Sequence, residues 1–309
     1  MDICKNLNTI THFNKSVLTI GSFDGIHCGH IEIIKELIKK ADKNKCPSIV
    51  ITFNPHPKSI LQKDTKEKWS MLMDIDKKLD VFKQYKIDYV WLIPFSEDFA
   101  QISAEQFLDS YIMKYFNPID VIIGYDHHFG HKRKGDVRFL NKEKVLNNFS
   151  LHVKDPISIN NVTVSSAIIR NYLEEGKLEL ANKYLGWDYE LCGRVVKGTG
   201  LGSSMKFPTA NIEPNIDNQL IPAKGVYCVD VLVVKKLYLG MCNIGVRPTF
   251  YTNGDEVIEV HLISDEDLNL YDKDIKIIFK KFIREEKKYK SAADLTHQLK
   301  LDRNVCLTI

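Results

Sequence analysis

The sequence predicts an α/β domain built on a parallel sheet, followed by a small antiparallel β barrel that ends in a C-terminal helix. Three observations carry this. From residue 17 to about 185, short apolar runs alternate with longer helical patterns, the rhythm of parallel strands joined by crossover helices. Beyond Gly186, strands follow in close succession with little room for crossovers, which calls for antiparallel pairing. Across 292–301 the spacing turns helical again.

In the first part, strands are expected at 17–20, 48–53, 89–93 and 121–123, and helices at 31–40, 74–85 and 104–115. In the first helix Ile31, Ile34, Leu37 and Ile38 share one face and Lys35, Lys39 and Lys40 the other, as a helix lying on a sheet requires. Ser165 and Ser166 can cap a further helix with their hydroxyls, and another over 179–185 is ended by Gly186. In the second part, segments rich in Val, Ile, Tyr and Phe predict strands at 191–196, 225–234, 237–244, 257–263 and 274–282. Short strands in such succession suit a closed barrel. The chain is therefore expected to divide into 1–185 and 186–309.

Composition narrows the function classes. The 309 residues are 44% hydrophobic, and 43 Lys and Arg against 40 Asp and Glu leave a charge of +3. Nucleic-acid and membrane-surface proteins usually carry a one-sided excess, so neither is expected as a partner. Cys4, Cys28, Cys46, Cys192, Cys228, Cys242 and Cys306 form no C-x-x-C pair, which indicates neither a disulfide framework nor a zinc ribbon and fits a reducing cytosol. The first twenty residues hold no sustained apolar stretch, and no run approaches the ~20 apolar residues of a membrane span. A soluble, unprocessed chain is expected.

The segment Gly21-Ser22-Phe23-Asp24-Gly25-Ile26-His27-Cys28-Gly29-His30 joins the first strand to the first helix, where free N–H groups and the helix dipole favour an anion. Gly21, Gly25 and Gly29 allow sharp turns and close approach to a phosphate. His27 and His30, three apart, can face one ligand. This suits adenylyl transfer, in which fixed donors around the α-phosphate and the leaving pyrophosphate supply the catalysis. Alone, the two histidines also fit, somewhat less well, a plain helix start or half a metal site. A second glycine-rich segment, Gly193 to Gly202 with Gly198 and Gly200, leads into Phe207-Pro208-Thr209-Ala210-Asn211, where a hydroxyl and an amide two residues apart can face one Mg–ATP. Between them, 127–134 holds three histidines, two lysines and an arginine, which could bind a phosphate, a metal or only water.

Gly21-x-Phe23-Asp24-Gly25-x-His27-x-Gly29-His30 resembles the G-x-F-D-G-x-H-x-G-H signature of bifunctional riboflavin kinase/FMN adenylyltransferases, the prokaryotic FAD synthetases, within the H-x-G-H nucleotidyltransferase superfamily. The resemblance continues in order through Thr52-Phe53-x-Pro55-His56-Pro57, Gly124-Tyr125-Asp126-x-x-Phe129-Gly130, Gly135-Asp136 and Ser165-Ser166-x-x-Ile169-Arg170. In the second half it includes the F-P-T-A-N element, Gly225-Val226-Tyr227, Asn243-Ile244-Gly245-x-Arg247-Pro248-Thr249, Glu259-Val260-His261-Leu262 and Ile283-Arg284-x-Glu286.

What the resemblance implies is a two-site enzyme of FAD synthesis. His27, His30 and Arg170 would stabilise an ATP polyphosphate, with Gly21, Phe23, Asp24, Gly25, Gly29, Ser165 and Ser166 around the nucleotide. His56, Asp126, Phe129 and Arg284 would lie on the flavin side. In the kinase half Glu259 is the implied base, Thr209 and Asn211 the Mg²⁺ ligands, and Gly198 and Gly202 part of the phosphate loop. ATP, riboflavin, FMN and FAD would be substrates or products. The sequence departs from the family at Ser22, at His127 and His128, at Ala167 and Ile168, and at Lys206, which replaces the Gly before F-P-T-A-N. If that position needs positive φ, the lysine costs on the order of 1 kcal/mol. Two alternatives stay open at this point: a monofunctional adenylyltransferase with a weakened kinase half, and a non-catalytic flavin-binding regulator.

Overall fold

A computed structural model describes residues 1–7, 10, 12–63, 69–197, 209–246, 256–264, 266 and 268–309. It comprises two compact units, Met1–Ser166 and Ala167–Ile309.

The first unit contains β1 (Asp2–Cys4), β2 (Ser16–Ile20), α1 (Cys28–Asn44), β3 (Ser48–Phe53), α2 (Pro57–Leu61), α3 (Ile75–Gln84) and β4 (Tyr89–Ile93). It continues with α4 (Glu97–Ala100), α5 (Ala104–Phe107), β5 (Pro118–Gly124), α6 (Val137–Leu146), β6 (Ser150–Lys154) and a short hairpin, β7 (Ser158–Ile159) and β8 (Val162–Thr163). Six strands form one parallel sheet in the order β1-β4-β3-β2-β5-β6. Every residue of β2 is buried, as expected for a central strand covered by helices on both faces. The stripe of α1 that meets the sheet is Ile33, Ile34, Leu37 and Ala41, which leaves the expected Ile31 and Ile38 at its margin.

The helix expected at 104–115 is regular only through α5. Over Leu108–Phe116 it widens into π-helical turns, which keep Leu108, Ile112 and Phe116, each four apart, in the core beside Trp91. Strands β1 and β6 escaped the hydrophobic pattern because both lie at sheet edges and are incompletely buried.

From β2 the chain moves outward through β3 to β4 and returns on the other side of β2 as β5. The carboxyl ends of β2 and β5 therefore flank the point where strand order reverses, the crevice in which open α/β sheets bind ligands. The loops after β2 and β5 carry the two most specific motifs of this half.

Helix α7 (Ser166–Glu174) is followed by α8 (Leu178–Leu185), which Gly186 terminates at φ 82°. Then come β9 (Glu190–Val196), β10 (Ala210–Pro214), β11 (Gly225–Val233), β12 (Lys236–Val246), β13 (Glu256–Leu262), β14 (Asp274–Arg284) and α9 (Ala292–Cys306). The strands close a barrel in the order β10-β13-β12-β11-β14-β9, every pair antiparallel. Tyr227, Cys242, Ile258, Val260, Ile277 and Phe279 are buried in it. Asn182 of α8 donates to the Phe279 carbonyl at 2.9 Å, so α8 is tied to β14.

Helix α9 starts at Ser291, whose hydroxyl accepts from the Asp294 N–H. It is fastened to β14 by Arg284, which donates from Nε at 3.1 Å and Nη2 at 2.8 Å to the carboxylate of Asp302, a residue 1% exposed. Removing the guanidinium would leave a buried carboxylate with Gln298 as its remaining side-chain donor among the described residues. Arg284→Met is expected to cost about 3 kcal/mol or more in urea denaturation followed through the barrel unit, and a loss under about 0.5 kcal/mol would contradict this anchoring.

Candidate active sites

Between β2 and α1 the backbone makes an unusual course: Phe23 has φ 48°, Gly25 79° and Ile26 32°. Only the glycine adopts this region freely, so Phe23 and Ile26 store strain of order 1 kcal/mol each. Burial offsets it, since Phe23 is 2% exposed and Ile26 0%. The outer glycines have a packing reason besides phosphate approach. A Cβ at Gly21 would stand 3.1 Å from the Phe23 ring, and one at Gly29 would stand 3.2 Å from the His27 ring.

His27 occupies the N-cap position of α1, yet its side chain makes no cap hydrogen bond. It stacks on His30 instead, with ring centroids 3.8 Å apart and planes 16° from parallel, and the Phe23 ring meets His30 edge-on at 5.2 Å. The expected convergence of the two imidazoles is thus present, and the Nδ1 atoms of both are buried with no hydrogen-bond partner among the described residues. Burial lowers the His27 pKa to about 4. Burial lowers that of His30 well below the ordinary value, and the neighbouring His27 and Lys78 act in the same direction. Both rings are therefore uncharged at neutral pH, and orphaned buried nitrogens of this kind mark a site that awaits a polar ligand.

Several bonds hold the loop. The Ser22 carbonyl accepts from Lys78 Nζ at 2.7 Å and from Thr52 Oγ1 at 3.3 Å. Asp24, 3% exposed, accepts from the Leu72 N–H at 3.0 Å, and the Ser166 hydroxyl donates to the Asp24 carbonyl at 2.9 Å. Asp24 and Ser166, both expected at the nucleotide, are in this structure fasteners of the loop that carries the histidines. Lys78 was not singled out from the sequence. The signal was available: it lies three and four residues before Val81 and Phe82, on the buried face of α3, where a lysine needs a reason.

Of the residues expected on the flavin side, His56 and Asp126 follow the carboxyl ends of β3 and β5, the two strands that flank β2. His56 follows β3, accepts from the Lys58 N–H through Nδ1 at 3.1 Å and stacks on Trp69 at 4.1 Å. Asp126 follows β5 and is exposed, with the His128 ring 2.7 Å from its carbonyl. Phe129 differs from expectation: it is 7% exposed and packs into the core beside Phe107 and Phe139, while its backbone pairs in both directions with Gly135. Its ring fixes the loop and is not an open face. A Cβ at Gly135 would collide with that ring at 2.7 Å, which accounts for the glycine. His127, the departure from the family, has a buried Nε2 without a partner, and burial holds its pKa at about 4.

In the second unit Arg170 lies one turn into α7 and is half-buried. Strand register aligns Asn211 of β10 with Glu259 of β13, and Glu259 with Asn243 of β12. Ile258 and Val260 are buried at 2% and 1%, so alternation turns Glu259 to the opposite face of the barrel wall, in one row with Asn211 and Asn243. Asn243 was not named as a site residue, and only the register brings it there. Thr209 is exposed immediately before β10, and the Glu286 carboxylate occupies the space a Cβ at Gly245 would need. Gly198, Gly202, Lys206, Phe207, Pro208, Arg247 and Thr249 lie outside the described residues.

Among the described residues no cluster of three or more His, Cys, Asp or Glu is arranged to hold a metal, so the metal reading of 127–134 finds no support there. Thr209 and Asn211 offer oxygen ligands, the kind that suits Mg²⁺ sharing its shell with water and phosphates.

The buried, uncharged His27 makes stability pH-dependent. Its folded pKa of about 4 lies below the ordinary 6.5, so the unfolded chain binds more protons between these values and stability falls as pH drops through that window. The contribution is complete above pH 6.5 and amounts to on the order of 3 kcal/mol. Denaturation of the wild type and of His27→Asn at pH 7 and 4.5 should show a smaller acid loss in the variant; equal losses would contradict the burial of a neutral ring.

Comparison with known proteins agrees with both halves. Residues 9–168 match the family model described as FAD synthetase, and residues 185–309 match that described as riboflavin kinase. A bifunctional riboflavin kinase/FMN adenylyltransferase of Buchnera aphidicola subsp. Schizaphis graminum is 33% identical over 98% of this chain and 96% of its own length. The Bacillus subtilis protein of the same description is 34% identical over 94% of this chain and 90% of its own. A solved structure described as a macrolide-efflux protein from Streptococcus pneumoniae superposes with a TM-score of 0.86 at 29% identity, covering 100% of this chain and 99% of that one. No helix among the described residues is long and apolar enough to cross a membrane. Two enzyme modules in this order, matched over nearly the full length, place the chain in the bifunctional riboflavin kinase/FMN adenylyltransferase family.

Proposed function

We propose that the two steps of FAD synthesis are divided between residues 1–185, which adenylylate FMN, and residues 186–309, which phosphorylate riboflavin. The observation that supports the first assignment most strongly is the stacked His27–His30 pair, with two partnerless buried nitrogens at the start of α1. An oxygen of the FMN phosphate attacks the α-phosphorus of ATP, the new P–O bond forms as the bond to the β-phosphate bridge breaks, and pyrophosphate leaves. His27 and His30 donate to the polyphosphate, and the N-terminus of α1 adds its dipole. Each donates as a neutral imidazole, through the ring nitrogen that carries its proton. Arg170 is assigned to the polyphosphate and His56 and Asp126 to the flavin side on the family pattern.

In the barrel, Glu259 takes the proton of the riboflavin primary hydroxyl as its oxygen attacks the γ-phosphorus and ADP departs. Thr209 and Asn211 would hold Mg²⁺, which when bound neutralises charge on the transferring phosphates. The row Asn211–Glu259–Asn243 supports this assignment, because it puts the base beside the amide that serves the metal. None of the seven cysteines is in a disulfide, as a chain kept in a reducing compartment such as the cytosol would be.

His30→Ala is expected to lower FAD formation from FMN by about 100-fold or more while FMN formation from riboflavin stays within about twofold. Glu259→Ala should do the reverse. Chromatographic separation of riboflavin, FMN and FAD after incubation with ATP and Mg²⁺ reads both at once, and equal loss of the two products in a folded variant would refute the division.

A further inference from the structure

We propose that Lys78 is a positioning residue for adenylyl transfer: a buried cation that fixes the Ser22 carbonyl of the histidine-bearing loop and presents its charge to His30. The inference rests on the assignment of His30 to the ATP site.

Lys78 is 5% exposed, and its ammonium donates to the Ser22 carbonyl at 2.7 Å. Burying an ammonium is costly, by several kcal/mol even after relaxation. A hydrogen bond to one carbonyl does not require that cost, since Thr52 already donates to the same oxygen. Something must favour the charge itself. Among the described residues, Asp24 from the loop after β2 and Asp74 from the start of α3 act on its charge, and its charge acts on His30 of α1. The two carboxylates support the ammonium and also accept backbone N–H bonds, Asp24 from Leu72 and Asp74 from Lys77. His30 alone is opposed by it.

That opposition has a use. An imidazole stacked on a second imidazole and buried beside a cation resists protonation, and its nitrogens serve as neutral hydrogen-bonding groups. ATP brings negative charge that pulls protons onto both rings, and a fixed lysine charge limits this, so the pair enters each cycle in one protonation state. Burial lowers the Lys78 pKa to about 8, against the pull of Asp24 and Asp74, so the ammonium persists at neutral pH and is lost on the alkaline side.

The test compares Lys78→Gln, which keeps a donor but deletes the charge, with Lys78→Arg, which keeps the charge. FAD formation from FMN is followed from pH 5 to 9 in the full-length chain, with thermal unfolding as the check on folding. Lys78→Gln should lose about tenfold in kcat, and its acid limb should move to higher pH, because His30 protonates more readily once its cationic neighbour is gone. Lys78→Arg should leave the acid limb in place. A folded Lys78→Gln with wild-type kcat, or with a lower kcat and an unmoved acid limb, would overturn the proposal. If Lys78→Gln does not fold, Lys78→Arg still decides, since a displaced acid limb in it contradicts a role for the charge. His30→Ala run alongside separates the two readings: retained FAD formation there refutes the His30 assignment itself, whatever the lysine variants do.

Discussion

The first unit depends on one constraint: the chain must leave a fully buried central strand and enter α1 within seven residues while bringing two imidazoles face to face. Left-handed backbone at Phe23, Gly25 and Ile26 makes the turn possible. Ser22 is held by Lys78 and Thr52, and Asp24 by Leu72 and Ser166, so four separate segments of chain define a single loop. Strain of this kind persists only where the surroundings over-determine the conformation, and the fasteners supply that. The stacked pair is then a consequence of the loop's course, and its uncharged state a consequence of burial.

The barrel solves a different problem with the same economy of parts. Closure removes free sheet edges, and the buried apolar residues of the strands fill the barrel. Register places Asn211 of β10, Glu259 of β13 and Asn243 of β12 opposite one another. Arg284 and Asp302 close the structure by fixing α9 to β14. Arg284, expected on the flavin side, has its guanidinium engaged in that pair.

How much was legible in the sequence follows from how local each signal is. Strands at 48–53 and 89–93 coincide with β3 and β4 because central strands of a parallel sheet are continuous apolar runs. Edge strands β1 and β6 carry no such run, and β10 is short and mixed, so periodicity passes over them. Within the site, His27 and His30 were readable from their spacing, since three residues on a helix start converge. Lys78, Trp69 and Asn243 were not, because their place depends on contacts between segments far apart in the chain. Phe129 shows the opposite case, a motif residue whose ring belongs to the core while its backbone shapes the loop.

The most direct test of the account is an NMR titration of the His27 and His30 rings, assigned by their single substitutions, in the free enzyme and with a non-hydrolysable ATP analogue. The account predicts that both rings stay neutral down to about pH 5 in the free chain and that the analogue perturbs both. Rings that titrate at the ordinary value near 6.5, or that ignore the analogue, would contradict a buried, uncharged pair built to receive a polyphosphate.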